Sequence, residues 1–371
     1  MNLRPPLRLS LRRHHPDQVR RSATNIALSA HRAGSREDFP TIRRRRQRVN
    51  GIPAPPALLP AAGVSNGEAE FSRDLPYFIL SGAQLAIGAA AIFARLALHG
   101  AGALAVSAVR LFVAAVVMLL ITRLANIGRR AELAFALAGL ILALHFATWI
   151  GSLEYTSVAI STLLVCTVPL WTEIYDCAIE RRLPPPAYFV SLVLALTGVA
   201  TMAVEHATPA PIPGHALLGD ALALLGSIAM GAYLIIVRNV GAQPADGRPF
   251  PTRQIVARTY AWAALALVVM AAAAHQMPPP PGDTSAWFGI LAMALVSQLL
   301  GHTGLNAALR AFSPSTVGFA TLLEPVVAAL LAALFLSEPL KLLTVVGGAL
   351  VLTAVAVTLR YAPSRELSIE P

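Results

Sequence analysis

Ser152–Leu170 reads "SLEYTSVAISTLLVCTVPL" and Ala308–Val326 reads "ALRAFSPSTVGFATLLEPV". The two stretches place a proline, Pro169 or Pro325, at the same point. Each is followed by an acidic turn, Glu180 or Glu338, and then by an apolar closing helix holding Gly198 or Gly347. Letter-for-letter identity is low, so the correspondence rests on organisation. It predicts a chain built from two copies of one unit.

Working outward from these stretches, apolar runs of about 20 residues, the length a bilayer core demands, alternate with short polar breaks from Leu75 onward. Ten spans are expected, over residues 76–98, 104–122, 132–152, 157–178, 188–205, 216–237, 255–275, 286–308, 315–336 and 340–360. The chain is 371 residues long, 56% apolar and 13% charged, with mean hydropathy +0.63. That is too oily for an ordinary soluble domain. The expected fold is therefore an all-α membrane protein. A unit with five spans must insert upside down when duplicated, so two inverted five-helix repeats follow, over residues 74–206 and 207–361. His145, in the outer half of span three, and His302, in the inner half of span eight, fit a two-fold axis in the membrane plane.

Orientation follows from arginine placement. The breaks after spans two, four, six and eight carry Arg123, Arg129, Arg130, Arg181, Arg182, Arg238, Arg248, Arg253, Arg258 and Arg310, whereas the alternate breaks carry only Lys341. Both termini are expected in the cytoplasm of a bacterial-type inner membrane. The formal charge of +10 does not signal nucleic acid, because residues 1–73 hold 14 Arg against 5 acids while the rest nearly cancels. That tail contains "RRRRQR" and "IPAPPALLP" and has no apolar periodicity. Disorder is expected there, with translation from near Val64 as the alternative; residues 362–371 form a short cytoplasmic tail. Cys166 and Cys177 are separated by about 16 Å along one helix, which excludes a bridge between them.

Ionisable and polar residues inside apolar spans are functional candidates, because each is costly to insert. Glu324 lies about 13 Å from the inner end of span nine by the helical rise and precedes Pro325, whose missing N–H frees a carbonyl one turn earlier. It reads either as a proton-coupling or cation-binding carboxylate or as the partner of an arginine. In "QLLGHTGLNAALR", Gln298, His302, Asn306 and Arg310 recur every four residues and form one stripe on a helix. His302 and Asn306 line a cavity or glue helices together. His145, Thr148, Trp149 and Ser152 make a comparable face on span three, where Trp149 also suits packing. Arg110 could receive an anionic group or neutralise Glu324. Glu173, Asp176 and Glu180 share a face by spacing: Glu173 faces a water-filled vestibule, or the helix ends early and all three lie at the surface. Asp176 and Glu180 are expected to be solvated. "HExxH", P-loop and dinucleotide fingerprints are missing, so no cofactor and no enzyme activity are expected.

These residues resemble the drug/metabolite transporter superfamily, in its EamA-like branch of ten-span permeases. The resemblance is carried by "ALHFATWIGSLEYTSVA" around His145, "VPLW" followed by "ERRL", "GHTGLNAALR", "LLEPVVAALLAALFLSEPL" and Arg110, across residues 76–360. It implies a secondary permease, an exporter of a small metabolite such as an amino acid or drug-like compound, driven by protons through alternating access. Substrate binding would fall to His145, Trp149, His302, Asn306 and Arg110, and proton coupling to Glu324 with His302. The chain departs from the family pattern after "PLW", where it has "TEIYDCAIERR". The expected partners are a small-molecule substrate and the lipid bilayer, not nucleic acid; a homodimer is allowed. A non-transporting sensor or scaffold, or a membrane-embedded enzyme, are the alternatives.

Overall fold

The computed structural model describes residues 66–205, 212, 214–242, 249–335 and 339–361. The disorder expected over residues 1–65, the tail 362–371, Arg248 and Glu338 all lie outside these described residues. Residues 66–73, expected to belong to the tail, are instead the first turns of a helix.

Among the described residues the architecture is helical throughout, with no strand. The helices are α1 (Asn66–Gly88), α2 (Ala90–Leu98), α3 (Ala103–Ile121), α4 (Gly128–Ser152), α5 (Val158–Val165), α6 (Val168–Glu180), α7 (Pro186–Glu205), α8 (Ala216–Gly241), α9 (Thr252–Ala273), α10 (Thr284–Ala292), α11 (Thr303–Ala308), α12 (Pro314–Ala320), α13 (Glu324–Phe335) and α14 (Leu342–Tyr361). A π-helical stretch, Met293–His302, joins α10 to α11, and a 3-10 turn, Thr321–Leu323, joins α12 to α13. Counted as continuous rods, nine are long and apolar enough to cross a membrane among the described residues; α14 adds a shorter apolar stretch over Leu342–Thr358. Helices suit such a chain because a bilayer offers no water to satisfy backbone N–H and C=O groups.

The boundaries have local causes. Ser157 and Ser313 occupy matching positions before the fourth and ninth rods. Each hydroxyl accepts a backbone N–H one turn on, from Ile160 at 3.2 Å and from Thr316 at 3.1 Å, which satisfies a donor that the first helical turn leaves free. Both rods then break one turn before their proline. A proline ring clashes with the carbonyl four residues back; for Pro169 that residue is Val165, where α5 ends, and for Pro325 it is Thr321, where the 3-10 turn begins. Threonine hydroxyls bridge the interrupted ladders: Thr167 donates to the Leu164 carbonyl at 2.7 Å and Thr321 to that of Gly318 at 2.7 Å.

The densest contacts pair α4 with α8, α7 with α14, and α3 with α9. The α7–α14 seam is close enough that a Cβ added to Gly198 would sit 2.6 Å from the Gly347 carbonyl oxygen, the approach that small residues permit between membrane helices. At the arginine-rich end, Arg258 is buried and pairs with Glu132 at 2.9 Å, Gln254 donates to the Arg123 carbonyl at 2.6 Å, and Arg238 donates to the Leu309 carbonyl. At the other end, Glu154 and Gln276 accept the free N–H groups of Ala103 and Leu104 at 3.0 and 2.8 Å. Side chains from distant breaks thus close the helix ends.

Candidate functional site

The two broken rods meet near the middle of the bundle, where the Cys166 thiol lies 3.9 Å from the Thr321 carbonyl. Between them and α4 lies a pocket of about 20 Å³ whose walls include His145, Trp149, Cys166, His302, Thr321 and Glu324. Such a volume holds about one water. His145 and Trp149 come from α4, while His302 and Glu324 come from the π-helical stretch and the start of α13. Both copies of the repeated unit therefore contribute a wall.

His145 is held by a 2.8 Å bond from Nδ1 to the Gly226 carbonyl on α8. A carbonyl only accepts, so Nδ1 carries the proton and, in the neutral ring, Nε2 is an acceptor. The ring is parallel to that of Trp149 at 6.0 Å and tilted 60° to His302 at 6.3 Å. Phe146 touches His302 from behind, at 5.1 Å between centroids, and the Arg110 guanidinium stands 4.2 Å from the centre of the Phe146 ring.

Arg110 is 0% exposed, and none of its three guanidinium nitrogens has a hydrogen-bond partner. The three salt bridges among the described residues, Arg182 with Glu173, Arg182 with Glu180 and Arg258 with Glu132, involve neither Arg110 nor Glu324. Their mutual neutralisation therefore does not occur by contact here, although their charges attract. Trp149 Nε1, His302 Nδ1 and both polar atoms of the Gln298 amide are likewise buried without partners. Such groups are uncommon in folded proteins and call for a cause.

Asn306 is buried but is not a wall of this pocket. Its Oδ1 accepts the Tyr233 hydroxyl at 2.9 Å and its Nδ2 donates to the His302 carbonyl at 2.7 Å. The four-residue stripe is also altered by the π-helical stretch, in which the Thr303 N–H bonds the Gln298 carbonyl five residues back. Gln298, His302 and Asn306 face inward, while Arg310 is exposed. Tyr233, Tyr260, Cys166 and Thr321 were not singled out from the sequence. The tyrosines had a usable signal, because a buried phenol in an apolar helix needs a partner; Tyr260 reaches the Gln298 carbonyl at 3.3 Å and Thr303 at 3.1 Å.

A second, larger cleft of about 480 Å³ lies at the arginine-rich end, with Glu173, Asp176, Glu180, Arg182, Arg238 and Ser315 among its walls. Helix α6 continues to Glu180, so the acids line this cleft from one helix. Glu173 accepts from Arg182 at 2.8 Å and from the Cys177 thiol at 3.3 Å. Glu180 is exposed and meets Arg182 Nε at 2.5 Å. The Glu180 and Glu173 carboxylates hold the Arg182 guanidinium further toward its charged form. Asp176, expected to be solvated, is half-buried and accepts the Ser315 hydroxyl of α12 at 2.6 Å, which ties the first copy of the unit to the second. Among the described residues no group of His, Cys, Asp and Glu is arranged to hold a metal ion.

The sequence pattern of the EamA-like transporter family, a family of transporters, matches residues 75–204 and again residues 217–360. No curated protein matches the chain. Among solved structures, 29 chains match; one, a crystal structure of a protein, aligns with a TM-score of 0.63 at 14% identity, covering 78% of this chain and 98% of its own. At that identity the likeness speaks for the fold alone.

Proposed function

The chain belongs to the EamA-like transporter family, and from that premise we propose that it is a proton-coupled secondary transporter, exporting a small metabolite such as an amino acid or a drug-like compound across a bacterial-type inner membrane. In this reading ten spans form two inverted five-helix halves with both termini in the cytoplasm, and the halves expose one central pocket to each side in turn. The observation that carries the proposal is the position of that pocket: it lies where both proline-broken rods are interrupted, walled by His145 and Trp149 from one half and His302 and Glu324 from the other.

Each candidate has a chemical part. His145, its tautomer set by Gly226, offers an acceptor nitrogen; Trp149 and His302 offer donors and ring faces. Arg110 supplies positive charge behind Phe146. Asn306 fixes the His302 backbone and enters the site when the helices move. Glu324, bare of any ion pair, binds a proton while sealed from water and releases it when water arrives. Glu173 lines the larger cleft at the arginine-rich end, which serves as the cytoplasmic vestibule.

The test is solute movement by purified protein in proteoliposomes, across a metabolite panel with and without an imposed pH gradient. Glu324→Gln should abolish gradient-driven accumulation while leaving solute exchange partly intact, because exchange needs the pocket but no net proton movement. Normal accumulation by folded Glu324→Gln protein would refute the coupling role. A protein that chemically converts a solute, or moves none, would instead fit the embedded-enzyme or the sensor reading.

A further inference from the structure

The polar atoms left unmatched around the central pocket are mostly donors, and they come from independent parts of the fold. Trp149 is 8% exposed and His302 5% exposed; both are walls of the pocket, and Trp149 Nε1 and His302 Nδ1 have no partner. Indole nitrogen can only donate, and an imidazole nitrogen donates whenever it carries the proton. Two half-helices begin at the same place: α6, of 13 residues, at Val168, and α13, of 12 residues, at Glu324, and both of these residues are pocket walls. The start of a helix carries a partial positive charge that favours anions; here Pro169 and Pro325 offer no N–H and the Leu170 and Glu324 N–H groups bond the Thr167 and Thr321 carbonyls, so the two starts act through that charge. Behind Phe146 stands Arg110, fully buried, with every guanidinium nitrogen unpartnered and its charge acting on both His302 and Glu324.

Packing alone does not explain this set. An apolar core would not retain a buried guanidinium without a counter-charge, and helix-to-helix glue would leave its donors bonded, as Asn306 is. One acid, Glu324, shares the pocket. It sets a condition on any ligand: a second negative charge fits beside it only when Glu324 holds a proton or when the ligand brings its own positive group.

We propose that the central pocket is built to take a carboxylate, received by Trp149 Nε1–H and His302 Nδ1–H and favoured by the positive ends of α6 and α13, with Arg110 supplying the counter-charge. Given the transporter reading on which this rests, the substrates are carboxylic acids, including zwitterions, rather than amines or neutral solutes. The water-sized pocket accommodates a carboxylate head only once the walls part, so the group selects at the moment of closure around it.

Benzoate, benzamide and benzylamine share a ring and differ in charge, which makes them suitable probes. Full-length protein in lipid nanodiscs would be titrated with each, following its unfolding temperature, which rises with any ligand that binds only the folded state. A second readout is fluorescence from a variant in which Trp149 is the only remaining tryptophan (Trp171→Phe, Trp262→Phe, Trp287→Phe). Benzoate should stabilise the protein and alter Trp149 emission at concentrations at least ~10-fold below those needed for the other two, a difference typical of one charge-assisted contact. Arg110→Gln should shrink that preference to about twofold; if the variant does not fold, the three-way comparison in the natural protein still decides. Equal or better binding of benzamide or benzylamine overturns the proposal. So does silence from all three up to ~50 mM, since even weak fragments bind at millimolar concentration. Counterflow in proteoliposomes separates the two ideas. Benzoate-selective binding with no solute moved sinks the transporter reading and leaves the carboxylate site, whereas transport that prefers benzylamine does the reverse.

Discussion

Gly347 and Gly348 are neighbours on α14, yet the structure assigns their alanine variants opposite signs. A Cβ on Gly347 would press into the Gly198 carbonyl oxygen more closely than the reciprocal 2.6 Å, and would lie 2.6 Å from Met202 Cγ. Comfortable C···O separations are about 3.3–3.6 Å, so the α7–α14 seam would have to open by about 1 Å. Overpacking of that kind costs about 1–3 kcal/mol, partly offset by the ~0.5–1 kcal/mol that alanine gains over glycine within a helix. On Gly348 the same Cβ would meet nothing nearer than Val326 Cγ1 at 3.8 Å, an ordinary contact. Gly347→Ala should therefore destabilise by about 1–2 kcal/mol, while Gly348→Ala is neutral or stabilises by up to ~1 kcal/mol. Equilibrium unfolding in mixed micelles, titrated with a denaturing detergent, measures both. Gly198→Ala combined with Gly347→Ala should cost less than the sum, because one opening relieves both clashes. Equal effects at positions 347 and 348, or a neutral Gly347→Ala, would refute the reasoning.

Asn306→Ala should destabilise by about 1–3 kcal/mol, because it strands the buried Tyr233 hydroxyl, and adding Tyr233→Phe should recover part of the loss; no recovery in a double-mutant cycle would mean that the 2.9 Å bond contributes little. A reporter fused after residue 365 should be cytoplasmic and one inserted near Pro279 external, and finding both on one side would contradict the span count and orientation proposed above. Glu324→Gln protein should lose proton-driven accumulation and keep exchange, as read by paired uptake and counterflow assays.

Much of the scaffold was legible because its causes are local. A bilayer-length apolar run specifies a helix whatever its neighbours, and the two prolines announce interruptions whose positions follow from the clash one turn upstream. His145, Trp149, His302 and Glu324 stand out as polar groups in apolar runs, and the fold brings them around one pocket. Elsewhere the pattern was silent. The extra residue accommodated in the π-helical stretch has no letter of its own, so four-residue spacing could not show how Gln298 is turned relative to His302, and no spacing could show that Asn306 meets Tyr233 from a different helix. Cys166 and Thr321 carry no signal of their own in the sequence, since only the meeting of two broken rods makes them walls. Asp176 looked like a surface acid because its partner, Ser315, is 139 residues away in sequence. Residues 66–73 carry no apolar face, yet they continue the helix that the following span begins.

The small volume of the central pocket has a consequence for affinity. In the transport reading proposed above, space for one water is not space for a metabolite, so the shape that binds solute is a different and less populated arrangement of the same walls. Apparent affinity then equals intrinsic affinity scaled by the fraction of molecules that are open. Side chains that hold the closed arrangement without touching the solute therefore set the working concentration range as directly as those that do. Loosening the closed arrangement would tighten binding and stiffening it would weaken it, with no change in any contact to the ligand.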